Sequence, residues 1–174
     1  YVFTGASAGA RNALYLSSKV DSDKFINSLF NIDYSNATSI LEIEYLIKNK
    51  FLEDYKDNDF DLNKIYLGVT TIMNFRPKTY VYGEFDSLCD AIDCCIASSH
   101  IPFITGGLFN KYKNRITFDG GFSKNPYLDI LKPIIHITPG IWSNKTVEDC
   151  ADISLNIAMN IMDKDLDFVK LYKQ

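Results

Sequence analysis

Tyr1-Val2-Phe3-Thr4-Gly5-Ala6-Ser7-Ala8-Gly9-Ala10 is the stretch on which the reading of this chain turns. A short apolar run at 1–3 leads into Gly-x-Ser-x-Gly, and a helix-like run over 10–19 follows. Strand, G-x-S-x-G, helix is the setting of a nucleophile elbow, in which a sharp turn lifts a serine hydroxyl clear of the sheet. Small residues on both sides, Gly5, Ala6, Ala8 and Gly9, let the backbone pass close to its neighbours and leave room for a substrate carbonyl. The helix starts at the serine, so its first N–H groups face any negative charge that forms there. The pattern points to a covalent acyl hydrolase with Ser7 as nucleophile. The same residues also fit an ordinary small-residue turn between strand and helix.

The elbow begins at residue 5, with one strand before it. An acyl hydrolase of this kind needs a second oxyanion donor, usually from a glycine-rich loop on an earlier strand. The expectation is therefore a chain that lacks its N-terminal strand and oxyanion loop, the remainder of a longer protein.

Composition narrows the class. At 174 residues the length suggests a single domain spanning 1–174, large enough for a real core. A hydrophobic content of 47% with 23% charged residues excludes a disordered chain. The net charge of −4 offers no basic footprint for nucleic acid. No apolar run reaches the ~18 residues of a transmembrane segment. Cys89, Cys94, Cys95 and Cys150 form no C-x-x-C pair, so buried free thiols in a reducing, cytoplasmic compartment are expected.

Along the chain, helices are expected over 8–18, 24–30, from a Ser39 cap through Phe51, over 87–98, and over 147–162. Strands are expected over 65–73 and 79–85, separated by Asn74-Phe75-Arg76-Pro77, and again over 115–118 and 133–138. Residues 54–61 read as an acidic surface loop. Interleaved strands and helices predict an α/β domain around a mainly parallel sheet flanked by helices.

A serine nucleophile needs a base. His100 lies at a helix end beside Pro102, and His136 lies inside an apolar strand; both settings are commoner for structural histidines. Asp119, in Thr117-Phe118-Asp119-Gly120-Gly121, is the better candidate. A carboxylate at a strand end, followed by two glycines that permit a tight turn, can face the elbow. Asp-Gly is also a common turn signal. The order Ser7, Asp119, His136 suits an α/β-hydrolase triad as well, and a non-catalytic lipid-binding domain is the alternative of another class.

Taken together, Gly5-Ala6-Ser7-Ala8-Gly9-Ala10 and Asp119-Gly120-Gly121 resemble the two motifs of the patatin-like phospholipases. Ala97-Ser98-Ser99-His100-Ile101-Pro102-Phe103 with Gly106-Gly107 resembles the segment that precedes the family's aspartate, and Phe122-Ser123-Lys124-Asn125-Pro126 the segment that follows it. Ile137-Thr138-Pro139-Gly140 and Asp149-Cys150 are similar to the adiponutrin and adipose triglyceride lipase branch. The resemblance implies a Ser7–Asp119 dyad without a catalytic histidine, with the Ala8 N–H as one oxyanion donor. It implies hydrolysis of phospholipid or acylglycerol esters at a membrane or lipid-droplet surface. It implies no metal and no cofactor; Asp163-Lys164-Asp165-Leu166-Asp167 lacks the glycine and distal glutamate of a calcium loop.

Overall fold

A computed structural model describes residues 1–73, 76–122, 135–137 and 151–153. Where the length suggested one domain, the chain divides into two compact units, Tyr1–Ile130 and Leu131–Gln174.

In the first unit, β1 (Phe3–Ala6) leads through Ser7 into α1 (Ala8–Leu16). α2 (Ser22–Phe30) starts at Asp21, whose side chain accepts the Asp23 and Lys24 N–H groups, so the helix begins earlier than the apolar pattern indicated. α3 (Ile40–Asp54) starts where expected: the Ser39 hydroxyl accepts the Glu42 N–H at 3.2 Å. Such caps replace helix bonds that the first turn cannot make and contribute about 1 kcal/mol each. β2 (Ile65–Met73) and β3 (Arg76–Gly83) pair antiparallel, as the sequence suggested, although β3 begins earlier and takes in Pro77. Pro77 is tolerated because β3 pairs only with β2 and so lies at an edge. α4 (Leu88–Ser98) follows, with Ser87 accepting the Asp90 N–H at 3.1 Å. β4 (Asn110–Tyr112) and β5 (Arg115–Phe118) close the unit as a tight hairpin.

The sheet is mixed rather than mainly parallel. Among the described pairs of this unit only β1–β2 is parallel, joined by the long helical crossover; β2–β3, β2–β5 and β4–β5 are antiparallel. The reason is local. Lys113 and Asn114 both adopt positive φ, 45° and 61°, the backbone of a two-residue hairpin turn whose twist matches its strands. A lysine at that position gives no sequence signal for such a turn, and the three-residue β4 is too short for a period-2 pattern.

β2 is the organising strand. β3 runs along one of its edges, from Tyr66 to Met73. The other edge is shared: β1 takes Ile65 to Gly68, and β5 takes Thr70 and Thr71. β1 runs along β2 and β5 runs against it. Their C-terminal ends therefore meet head to head opposite Val69.

α1 and α4 pack on β2, and α3 packs on α4. Ile65, Leu67 and Val69 are fully buried with Ala10, Ala13 and Leu14 of α1 and Leu88, Ala91 and Cys95 of α4. Each large apolar side chain buried in this way contributes about 1.5–3 kcal/mol. The acidic stretch after α3 is less of a surface loop than its charges implied. Tyr55 and Phe60 are buried; Tyr55 stacks with Phe25, which meets Phe60 and Phe51 edge-on, the latter at 4.9 Å. Asp57 accepts the Leu88 N–H at 2.7 Å, bonding the start of α4. Glu44 of α3 is buried against Arg11 of α1. Burial pushes its carboxyl above the usual range, and Arg11 opposes that rise.

Cys94 and Cys95 are buried and unpaired, and Cys89 is half-buried and unpaired, as expected; Cys150 lies outside the described residues. Burial pushes the Cys95 thiol up to about 12, so it is an inert core group.

In the second unit, β6 (Ile135–Ile137) contains His136, within a strand as expected. β6 pairs parallel with β7 (Ala151–Ile153). A helix was expected over 147–162. The described part of that span is a strand, because short apolar runs carry no unambiguous period and here backbone pairing with β6 prevails. The rest of that span lies outside the described residues, as do 123–126, 138–140, 149–150 and 163–167.

Candidate active site

The head-to-head strand ends bring Ser7 and Asp119 together. The Ser7 Oγ–H donates to Asp119 Oδ2 at 2.5 Å, across 112 residues of sequence. Hydroxyl-to-carboxylate bonds of this length belong to the short, charge-assisted class.

Ser7 sits on a strained turn, with φ 56° and ψ −127°. This is a sparsely populated region for any residue with a Cβ, and holding it costs on the order of 1–3 kcal/mol. Two neighbours maintain the conformation. Gly5 lies against the first turn of α1 so closely that a Cβ there would overlap the Gly9 carbonyl and approach Ala10 N to 2.7 Å. The Ser7 N–H donates to Ser98 Oγ at 2.8 Å, and the Ser98 hydroxyl in turn donates to the Gly68 carbonyl of β2 at 2.7 Å. Ser98 is fully buried and links helix α4, the elbow and the central strand.

The orientation of Ser7 has a second consequence. A serine at a helix N-cap ordinarily accepts a backbone N–H with its own side chain. Here the hydroxyl is turned to Asp119, and α1 has no side-chain cap. The first N–H groups of α1, at the positive end of the helix dipole, are thus left without a cap from the Ser7 side chain.

Asp119 is held from three sides. Its N–H donates to the His100 carbonyl at 2.7 Å, its Oδ1 accepts the Gly121 N–H at 2.7 Å, and its Oδ2 receives the Ser7 hydroxyl. Gly120 is required by close approach: a Cβ there would overlap the Gly68 carbonyl and come within 2.8 Å of Ala6 Cβ. The carboxylate is buried, with one oxygen fixed by backbone and the other directed at the Ser7 hydroxyl.

Of the residues singled out in the sequence, Gly5, Ser7, Ala8, Asp119, Gly120 and Gly121 come together at this junction. Gly9 is beside it, but among the described residues no atom beyond its own helix and chain neighbours lies within 4 Å of where its Cβ would be, so their packing does not demand a glycine there. His100 contributes its carbonyl, and its buried Nδ1 lies 3.4 Å from the Thr105 hydroxyl. Sequence reasoning placed Ser98 in a segment without giving it a role. The signal was available: on α4 the buried stripe runs Leu88, Ala91, Ile92, Cys95, Ser98, so a serine occupies an apolar position. His100 and Gly68 take part through their backbone carbonyls, which leave no trace in residue type.

A cavity of about 360 Å³ lies elsewhere, lined by Tyr45, Asp90, Asp93, Asn110 and Lys113. Asp90 there is paired with Lys113 at 3.1 Å, and neither Ser7 nor Asp119 borders it. Among the described residues no group of three or more His, Cys, Asp or Glu side chains could hold a metal. No described helix is long and apolar enough to cross a membrane. No family model matches the chain, and a search of the curated proteins finds no match.

Proposed function

We propose that the chain is a serine acyl hydrolase of patatin-like type, cleaving carboxylic esters of lipids through Ser7 and Asp119. The observation that carries this reading is the direct Ser7–Asp119 hydrogen bond at a strained strand-to-helix turn. Strain of this kind persists only where surrounding structure enforces it, and it is concentrated at functional sites. A structural serine would relieve it by capping α1.

In the proposed mechanism Asp119 Oδ2 takes the Ser7 proton as the oxygen attacks the ester carbonyl. The tetrahedral oxyanion is stabilised by the Ala8 N–H and the start of α1. Collapse breaks the ester bond, and Asp119 returns the proton to the departing alkoxide. Water, deprotonated by Asp119, then attacks the acyl-serine; Ser7 recovers a proton and the fatty acid leaves. The direct contact leaves no room for an imidazole between serine and carboxylate, which favours the dyad over a triad through His136. The lipid class, phospholipid or acylglycerol, follows from the sequence resemblance. A cytoplasmic setting, peripheral on a membrane or lipid droplet, fits the unpaired cysteines.

A fluorophosphonate probe tests the reading. Labelling should map to Ser7 and vanish in Ser7→Ala. A folded protein that is not labelled, or labelling that survives Ser7→Ala, would refute it.

A further inference from the structure

Between α4 and β4 the chain displays large apolar side chains on a short, bonded turn. Phe103 is 78% exposed, Ile104 62%, Leu108 45% and Phe109 55%. The turn is well tied: the Ile101 N–H donates to the Thr105 hydroxyl at 2.9 Å, and the Ile104 and Thr105 N–H groups donate to the Ile101 carbonyl at 3.1 and 3.0 Å. Phe103 sits at φ 64°, a backbone state that a bulky residue rarely adopts. Strain and exposure at the same phenylalanine both oppose stability, so packing within the described residues accounts for neither.

The turn adjoins the dyad. The His100 carbonyl at its base accepts the Asp119 N–H, and the Phe109 ring meets Phe118, the residue before Asp119, edge-on at 6.3 Å. Ile116 and Ile72, both partly exposed, extend the apolar surface on the sheet face that carries Phe118. The charges on the turn and the hairpin themselves have one sign, while Asp90 and Asp93 of α4 line a cavity with Lys111 and Lys113. Residues 94–118 contain no Asp or Glu but include Lys111, Lys113 and Arg115, in a chain of net charge −4. Lys113 bonds Asp90, and Arg115 lies 4.5 Å over the Tyr80 ring. Lys111 is exposed and has no ion-pair partner among the described residues.

We propose that the 102–109 turn is a lipid-surface anchor: its apolar tips enter an anionic phospholipid surface and the basic β4–β5 hairpin rests on the headgroups. An apolar tip flanked by cationic side chains matches such a surface. The purpose of the anchor rests on the proposed lipid hydrolysis at Ser7, whereas its test does not.

Cosedimentation with vesicles of phosphatidylcholine and phosphatidylglycerol is the experiment, on the wild-type chain, Phe103→Ser/Phe109→Ser and Lys111→Glu, each checked for fold by circular dichroism. The wild type should bind, the aromatic variant about tenfold more weakly for each ring removed, and Lys111→Glu about fivefold more weakly on anionic vesicles only. Turnover of a water-soluble short-chain ester should be unchanged in all three. Vesicle binding without ester turnover would sink the hydrolase and leave the anchor standing. A wild type that stays in the supernatant, or an aromatic variant that binds as the wild type does, would overturn the anchor. So would a dimer that the same substitutions dissociate in the absence of vesicle binding.

Discussion

The two strand ends that meet opposite Val69 are built to the same plan and held by opposite means. Each has a glycine pressed against backbone, Gly5 on the Gly9 carbonyl and Gly120 on the Gly68 carbonyl. Each has a looser glycine beyond it, Gly9 and Gly121. The serine turn is strained, however, with its hydroxyl diverted from the capping role. The aspartate shows no positive φ and is fixed by hydrogen bonds to His100 and Gly121. The difference teaches that Ser7 is positioned by enforced backbone geometry and Asp119 by satisfied polar contacts. Substitutions at the two ends should therefore fail in different ways.

The largest effect is expected where contacts, not geometry, carry the chemistry. Asp119→Asn keeps an oxygen for the Gly121 N–H but removes the proton acceptor. Turnover should fall about 10³-fold or more, as when a catalytic carboxylate of a serine hydrolase is neutralised, while the urea midpoint barely moves. If Asp119 serves only the turn, asparagine is nearly neutral for both, since it also favours such turns. A folded Asp119→Asn variant with near wild-type ester turnover would break the comparison at its base.

Next come the close-approach glycines. Gly5→Ala and Gly120→Ala each place a methyl into a backbone carbonyl that cannot swing away. The loss of stability should be about 3 kcal/mol or more, at or above the usual range for overpacking, and should be read from chemical denaturation. Either variant unfolding at the wild-type midpoint would show that the strand ends are not closely packed.

Much of this junction was legible in the sequence, because glycines at strand ends and a serine before a helix are residue-type signals. Ser7 with Gly5 and Gly9, and Asp119 with Gly120 and Gly121, were all marked by their neighbours. What was not legible is carried by backbone. The mixed sheet depends on a Lys113–Asn114 turn in which Asn114 suits a positive φ but Lys113 does not advertise one. The hold on Asp119 comes from the His100 carbonyl, present in every residue type. Ser98 was visible as a polar residue on an apolar stripe, but its partners were not. The helix expected over 147–162 had the right spacing of isoleucines, yet at the described 151–153 strand pairing decides the conformation.

Ser98→Ala tests the enforced geometry directly. It removes two hydrogen bonds and leaves the Ser7 N–H and the Gly68 carbonyl without that partner, at a cost of about 1–3 kcal/mol. Freed of its tether, the serine turn should relax toward ordinary capping. kcat should drop by tenfold to about 10²-fold, as for small misplacements of a reacting group, with KM little changed. If stability falls while kcat holds, Ser98 is a fold residue and the strain at Ser7 is maintained by Gly5 alone.

The smallest effect, and the sharpest discrimination, belongs to Gly9→Ala. Gly9 lies in the first turn of α1 with open space where a Cβ would stand, and it shows no positive φ. Alanine is the better helix residue by about 0.5–1 kcal/mol, so the variant should be as stable as the wild type or slightly more so. Protein packing gives no reason for glycine here, in contrast to Gly5 four residues earlier. A reason remains if a substrate must approach the Ala8 and Gly9 N–H groups, because a methyl would stand in its path. The expected outcome is therefore a stable protein with reduced turnover on a bulky lipid ester and near-normal turnover on a short one. Equal turnover on both would remove the substrate from this side of the elbow. A loss of stability would show that the space beside Gly9 is filled.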